Sequence, residues 1–119
     1  MHYDLEERTA KFGEKVIRLC KTIRQDAISR TLISQLIRSG TSVGANYMEA
    51  NGASSKKDFR NKIYICKKEI QETKHWIRML GNCNLGDKVK LRNLWKEAHE
   101  LTLIFGKIVS SINGKKIKN

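Results

Sequence analysis

The chain has 119 residues, no proline and a formal net charge of +12. Such a length makes one domain and buries a core without help from a disulfide or metal. No apolar run approaches the roughly 18 residues of a membrane span, and Met1-His2-Tyr3-Asp4 lacks the basic-then-apolar pattern of a secretory signal.

Four helical patterns follow one another along the chain. In the first, Phe12, Val16, Leu19 and Ile23 step by four, three and four. The second holds Leu32, Leu36, Val43 and Tyr47. It also carries Gly40 and Gly44 near its apolar side, each costing about 1 kcal/mol against alanine. Two readings explain them: another helix packs directly on that face, or Gly40 marks a kink or a break. The third pattern, Phe59, Ile63, Cys66, Ile70, Thr73, Ile77 and Leu80, has no misses. The fourth runs Leu91, Leu94, Ala98, Leu101, Phe105, Ile108 and Ile112, again without one. A spacing of about 3.5 residues marks helices packed at shallow angles. No segment alternates with the period of two that a strand requires.

The breaks between patterns have their own chemistry. Asn51-Gly52 ends the second helix, and Ser55-Lys56-Lys57-Asp58 reads as a capping box opening the third. The segment Gly81 to Gly86 separates the third from the fourth, with Asp87 as the expected cap. The turn near Asp26–Arg30 is the most weakly marked break: it holds no glycine, which leaves open that the first two helices join with little interruption. Short connections make neighbours antiparallel. The expected fold is all-α, an antiparallel up-down-up-down four-helix bundle over residues 1–113, with a flexible basic tail at 114–119.

The charge is uneven. Residues 1–53 hold eight Lys/Arg against six Asp/Glu, while residues 54–119 hold sixteen against six. Such an excess attracts polyanions. On the third helix Arg60, Lys67, Lys74 and Arg78 fall within about 40° of one another at 100° per residue. Glu69 and Glu72 lie on another side. A segregated basic stripe suits phosphates spaced along a backbone. Tyr64, Gln71 and His75 lie beside it and offer stacking or hydrogen bonds. Lys56 and Lys57 extend the stripe at its start, and Arg92, Lys96, His99 and Lys107 form a second basic face on the fourth helix. The competing reading is a solvated face that only keeps the protein in solution.

A polar stripe on the second helix, Arg38, Ser42, Asn46 and Glu49, points away from the core. Helix three has a mixed face of Ile65, Glu69, Glu72, Trp76 and Met79. Tryptophan, methionine and arginine are enriched at interfaces. These faces read as a subunit interface, or as a polar network inside one bundle, in which Arg38 pairs with Glu69 or Glu72. No nucleophile or poised base accompanies these carboxylates, so no catalytic residue is assigned. His2, His75 and His99 show no ligand spacing, and no metal or cofactor motif is present. Cys20, Cys66 and Cys83 form no CxxC pair; the first two fall on apolar faces, which suits a reducing compartment.

The segment Gln35-Leu36-Ile37-Arg38-Ser39-Gly40-Thr41-Ser42-Val43-Gly44-Ala45-Asn46-Tyr47-Met48-Glu49-Ala50 is distinctive. Together with Ser55–Phe59 and Lys68–Ile77 it closely resembles the bacterial four helix bundle protein family, the 23S rRNA intervening-sequence proteins. The resemblance spans roughly residues 10–112. It implies a small up-down bundle, ring-shaped pentamers, and genes that in some members lie inside insertions of large-subunit ribosomal RNA genes. A related accessory protein of diversity-generating retroelements binds nucleic acid and a reverse transcriptase. The family attaches no enzymatic activity. Its motif matches Arg38, Ser42, Asn46, Glu49, Glu69 and Glu72 here; the basic stripe lies outside it. The expectation is a non-enzymatic, basic, cytoplasmic homo-oligomer that binds nucleic acid, RNA favoured. The alternative is a protein–protein adaptor for a nucleic-acid enzyme such as a reverse transcriptase, suggested by the Ile65/Trp76/Met79 face.

Overall fold

Asp26 decides where the first two helices part. Its carboxylate accepts from the backbone N–H groups of Ile28 and Ser29, and the Ser29 hydroxyl accepts from the Asp26 N–H in return. This is a full capping box with the acid and the hydroxyl in exchanged positions. It breaks the chain cleanly at the turn that the sequence marked most weakly. The computed structural model describes residues 4–117, without the side chains of 114–117, and contains four helices: α1 (Leu5–Thr22), α2 (Ala27–Asn51), α3 (Lys56–Gly81) and α4 (Lys88–Ile117). No strand occurs among the described residues.

The other ends are capped as their residues suggest. The Ser55 hydroxyl accepts from the Asp58 N–H, which supplies half of the expected box. Asp87 accepts from the N–H groups of Val89 and Lys90 at the start of α4. In the loop before it, Asn84 adopts a left-handed conformation at φ 55°, which asparagine tolerates better than most side chains. Helix α4 continues to Ile117, past residue 113. The basic residues expected as a tail therefore carry the helix on as far as it is described; Lys118 and Asn119 lie outside the described residues.

Each helix packs on the next, α1 on α2, α2 on α3 and α3 on α4, and α4 returns to α1. Residue pairs across each seam run in opposite directions. Thr9 lies by Gly44 and Val16 by Gly40; Glu49 meets Lys62 and Arg38 meets Glu72; Tyr64 meets Asn113 and Lys74 meets His99. Every stripe faces the common centre. Phe12, Val16, Leu36, Val43, Ile63, Ile70, Leu80, Leu101 and Phe105 are fully buried. The stripes become half-buried where the bundle opens at Phe59, Ile108 and Ile112.

Helix α2 is unbroken through both of its glycines, so Gly40 marks no break, and the close-packing reading holds. Gly40 is buried against Val16, and a Cβ on Gly44 would sit 3.4 Å from the Thr9 backbone. Gly13 returns the contact from α1, facing Thr41 and the Gly40 carbonyl. Removing side chains from both helices here lets the backbones approach closely. The α2/α3 seam is also close: Thr73 hydrogen-bonds Ser39 at 3.0 Å, and the Cys66 thiol points at the Val43 carbonyl at 3.6 Å. These buried polar groups are all satisfied, as a close-packed interior requires.

Candidate nucleic-acid interface

The charges of the four helices are sorted by seam. On α3 the carboxylates turn toward α2. Arg38 reaches Glu69 at 3.2 Å and Glu72 at 2.8 Å, and Lys62 reaches Glu49 at 2.7 Å. On α4 the carboxylates turn toward α1. Arg8 clamps Glu97 at 2.9 Å and also hydrogen-bonds Glu100. The third seam, α3 against α4, receives cations from both helices. At 100° per residue, Arg60, Lys67, Lys74 and Arg78 fall on the α4 side of α3, and Lys88 and Arg92 on the α3 side of α4. Among the described residues, none of these six forms a salt bridge.

At the end of this seam lies an open groove of about 480 Å³, lined by Ile77, Arg78, Gly81, Lys88, Leu91, Arg92 and Trp95. Lys88 and Lys90 occupy the first turn of α4, where the helix macrodipole favours acids over cations. Their placement concentrates positive potential there, and the Asp87 cap offsets only part of it. One turn further along α4, His99 stacks on Trp95 with ring centroids 5.2 Å apart and planes 8° from parallel. The Lys74 ammonium sits 2.9 Å from the His99 Nδ1 and 4.7 Å from the indole centroid. A hydrogen bond to Nδ1 lies in the imidazole plane, which parallels the indole, so ammonium and imidazole cap the same face of Trp95. Cation–π attraction adds to the hydrogen bond.

The residues expected to bind nucleic acid therefore separate into groups. Lys74, Arg78 and Arg92 come together around the groove. Lys67 and Arg60 are half-buried further along the same seam. Lys56 and Lys57 are exposed at the opposite end of α3, and Lys96 faces outward from α4. Lys74 is not a free phosphate ligand; it is held by His99 and Trp95. Trp95 and Lys88 are additions. Position 95 follows Arg92 by three and precedes His99 by four, which is the spacing that placed it on their face.

The residues of the polar stripe join within one chain. Ser42 donates to the Arg38 carbonyl at 2.6 Å, and Asn46 donates to the Ser42 carbonyl at 2.8 Å. Glu69 is 8% exposed, so Arg38 compensates a nearly buried carboxylate. The Arg38 guanidinium pKa rises, most through its hydrogen bond to Glu72. That of Arg8 rises in the same way through Glu97, and Lys62 rises through Glu49. Trp76 is half-buried against the core, edge-on to His75 at 4.9 Å, and its Nε1–H has no partner among the described residues. Ile65 and Met79 are half-buried as well, so this face is less open than an unpaired interface would be. No cluster of three potential metal ligands occurs among the described residues, and none of their helices is long and apolar enough to cross a membrane.

Fold and charge together define a basic all-α bundle whose α3/α4 seam gathers six cations without a salt bridge among the described residues. The chain belongs to the family described as 23S rRNA-intervening sequence protein, whose model matches residues 2–107. It is similar to a protein of unknown function from the S23 ribosomal protein family of Bacteroides thetaiotaomicron VPI-5482, with 27% identity and a TM-score of 0.79. That match covers 88% of this chain and 97% of the other. Comparison with curated proteins finds no match.

Proposed function

We propose that this protein is a non-enzymatic, cytoplasmic nucleic-acid-binding protein that favours RNA and engages it along the α3/α4 seam. The observation that carries this reading is the sorting of charge. Glu69 and Glu72 of α3 are committed to Arg38, and Glu97 and Glu100 of α4 to Arg8, on the flanking seams, which leaves six cations of the α3/α4 seam without a salt bridge among the described residues. Ordinary salt-bridge lacing mixes signs on each face; here the mixture is confined to two seams and absent from the third. The description of the family as associated with 23S rRNA supports RNA over DNA. The resemblance supports assembly into a homo-oligomeric ring of five copies. The exposed Ile28, Met48 and Leu103 are apolar area that assembly would cover.

The test is binding of nuclease-treated protein to structured RNA, single-stranded RNA and duplex DNA across a salt titration. Steep salt dependence with preference for RNA is the expected result. Reversing Lys67, Arg78 and Arg92 to Glu is expected to weaken binding and reduce the salt slope by about one per lost phosphate contact. Unchanged binding by a folded triple variant rejects the seam. Weak binding that vanishes near physiological salt leaves the adaptor reading. One observation favours that reading: a groove of about 620 Å³ between α1 and α4, with Leu19 and Leu94 below Lys15, Arg18, Lys21 and Lys90. Its rim matches an acidic partner.

A further inference from the structure

Trp95 is 37% exposed, a large apolar area for a side chain flanked by cations. Its two faces differ. The face toward the C-terminal end of α4 is covered by His99 and Lys74. The residues that line the groove with it, Leu91, Arg92 and Lys88, lie one and two turns toward the N-terminal end, so its other face looks into the groove. The groove wall across from it includes Gly81, where a Cβ would meet nothing within 4 Å. A flat aromatic plate, an open slot beside it and unpaired Arg78 and Arg92 at the rim are the parts of a stacking platform with phosphate anchors.

We infer that the groove takes one unpaired nucleobase, stacked on the free face of Trp95 with its flanking phosphates on Arg78 and Arg92. Resting on the RNA reading above, this narrows the ligand to single-stranded or looped RNA. A base inside a duplex is already stacked on its neighbours and cannot enter the slot. The A-form helix also hides base edges in a deep, narrow groove, so protein contacts to unpaired bases are the usual route to selectivity. The Lys74–His99 pair fixes the indole from behind, which keeps the plate in place before RNA arrives.

The experiment compares a short oligouridine strand, the same strand closed as a hairpin loop, and a fully paired RNA duplex. Three variants are used: Trp95→Leu removes the plate, Trp95→Phe keeps an aromatic face, and Gly81→Leu enters the slot without changing charge, from a Cβ position with nothing within 4 Å. Trp95→Leu and Gly81→Leu are each expected to weaken oligouridine and loop binding about tenfold, with duplex binding and the salt slope unchanged. Trp95→Phe is expected to retain most of the affinity. In a Trp76→Phe background, the remaining indole fluorescence is expected to be quenched by oligouridine and not by duplex. Unchanged oligouridine binding by Trp95→Leu, or an equal loss on the duplex, overturns the stacking role while the RNA reading stands. A wild-type protein that binds none of the three probes overturns both.

Discussion

Val16 lies over Gly40 so closely that a Cβ on Gly40 would sit 2.9 Å from the Val16 Cγ2. Val16 is fully buried, and a β-branched side chain in a helix has one strongly preferred rotamer, so it has nowhere to turn. Gly40→Ala gains about 1 kcal/mol of helix propensity and loses about 1–3 kcal/mol to overpacking. The expected net result is a lower melting temperature. Adding Val16→Ala is expected to cost less in the Gly40→Ala background than in wild type, as a double-mutant cycle by urea denaturation will register. Gly106, also helical but with nothing within 4 Å of its would-be Cβ, is the contrast: Gly106→Ala is expected to stabilise by about 0.5–1 kcal/mol.

Arg38 is the partner of a carboxylate that has almost no water. Arg38→Met leaves Glu69 buried without its cation and is expected to cost about 1–3 kcal/mol. Replacing Glu69 with Met as well is expected to restore most of the loss, since exchanging both members of a pair for apolar groups is often nearly neutral. Equal denaturation midpoints for the single and double variants would show that Glu69 finds another partner.

The Asp26 cap makes stability sensitive to acid. Its pKa lies below the usual 3.8, chiefly because the Ser29 N–H donates to the carboxylate. A depressed folded-state pKa contributes stability that is complete above the unfolded value and lost as pH falls through the folded one. The contribution is therefore present above about pH 4 and disappears below it. Asp26→Ala is expected to lower the melting temperature at neutral pH and to flatten the acid limb of the stability curve.

Thiol chemistry separates the three cysteines. Burial pushes the Cys20 thiol up to about 11 and the Cys66 thiol up to about 12, so neither forms appreciable thiolate near neutral pH. Cys83 is half-exposed in the loop before α4. Titration of the native protein with a thiol reagent is expected to modify Cys83 promptly, and the other two only as the bundle unfolds. Prompt reaction of all three would show that the core opens readily.

The helices were legible in the sequence because their chemistry is periodic. Ile63 through Leu80 and Leu91 through Phe105 repeat at 3.5 residues, and all of those positions are buried; only the outer ends of the two stripes, Phe59, Ile108 and Ile112, are half-buried. The α2 glycines announced a close approach but not its partner, since Val16 and Thr9 lie 24 and 35 residues away from them on a helix with an ordinary stripe. Seam chemistry was harder still. The Arg8–Glu97 contact spans 89 positions, and nothing local in either segment marks it. Arg38 with Glu69 and Glu72 was visible only as complementary charge on two faces. The Asp26–Ser29 box escaped because its members stand in the reverse of the usual order. Trp95 escaped because stripe spacing shows which side of α4 is apolar, not which flank meets α3.

Committing the carboxylates to two seams leaves the molecule electrically lopsided. A polyanion at a distance of about one Debye length feels that asymmetry before any side chain touches it. The protein would turn during approach, cationic seam first, so that encounters begin close to the binding orientation.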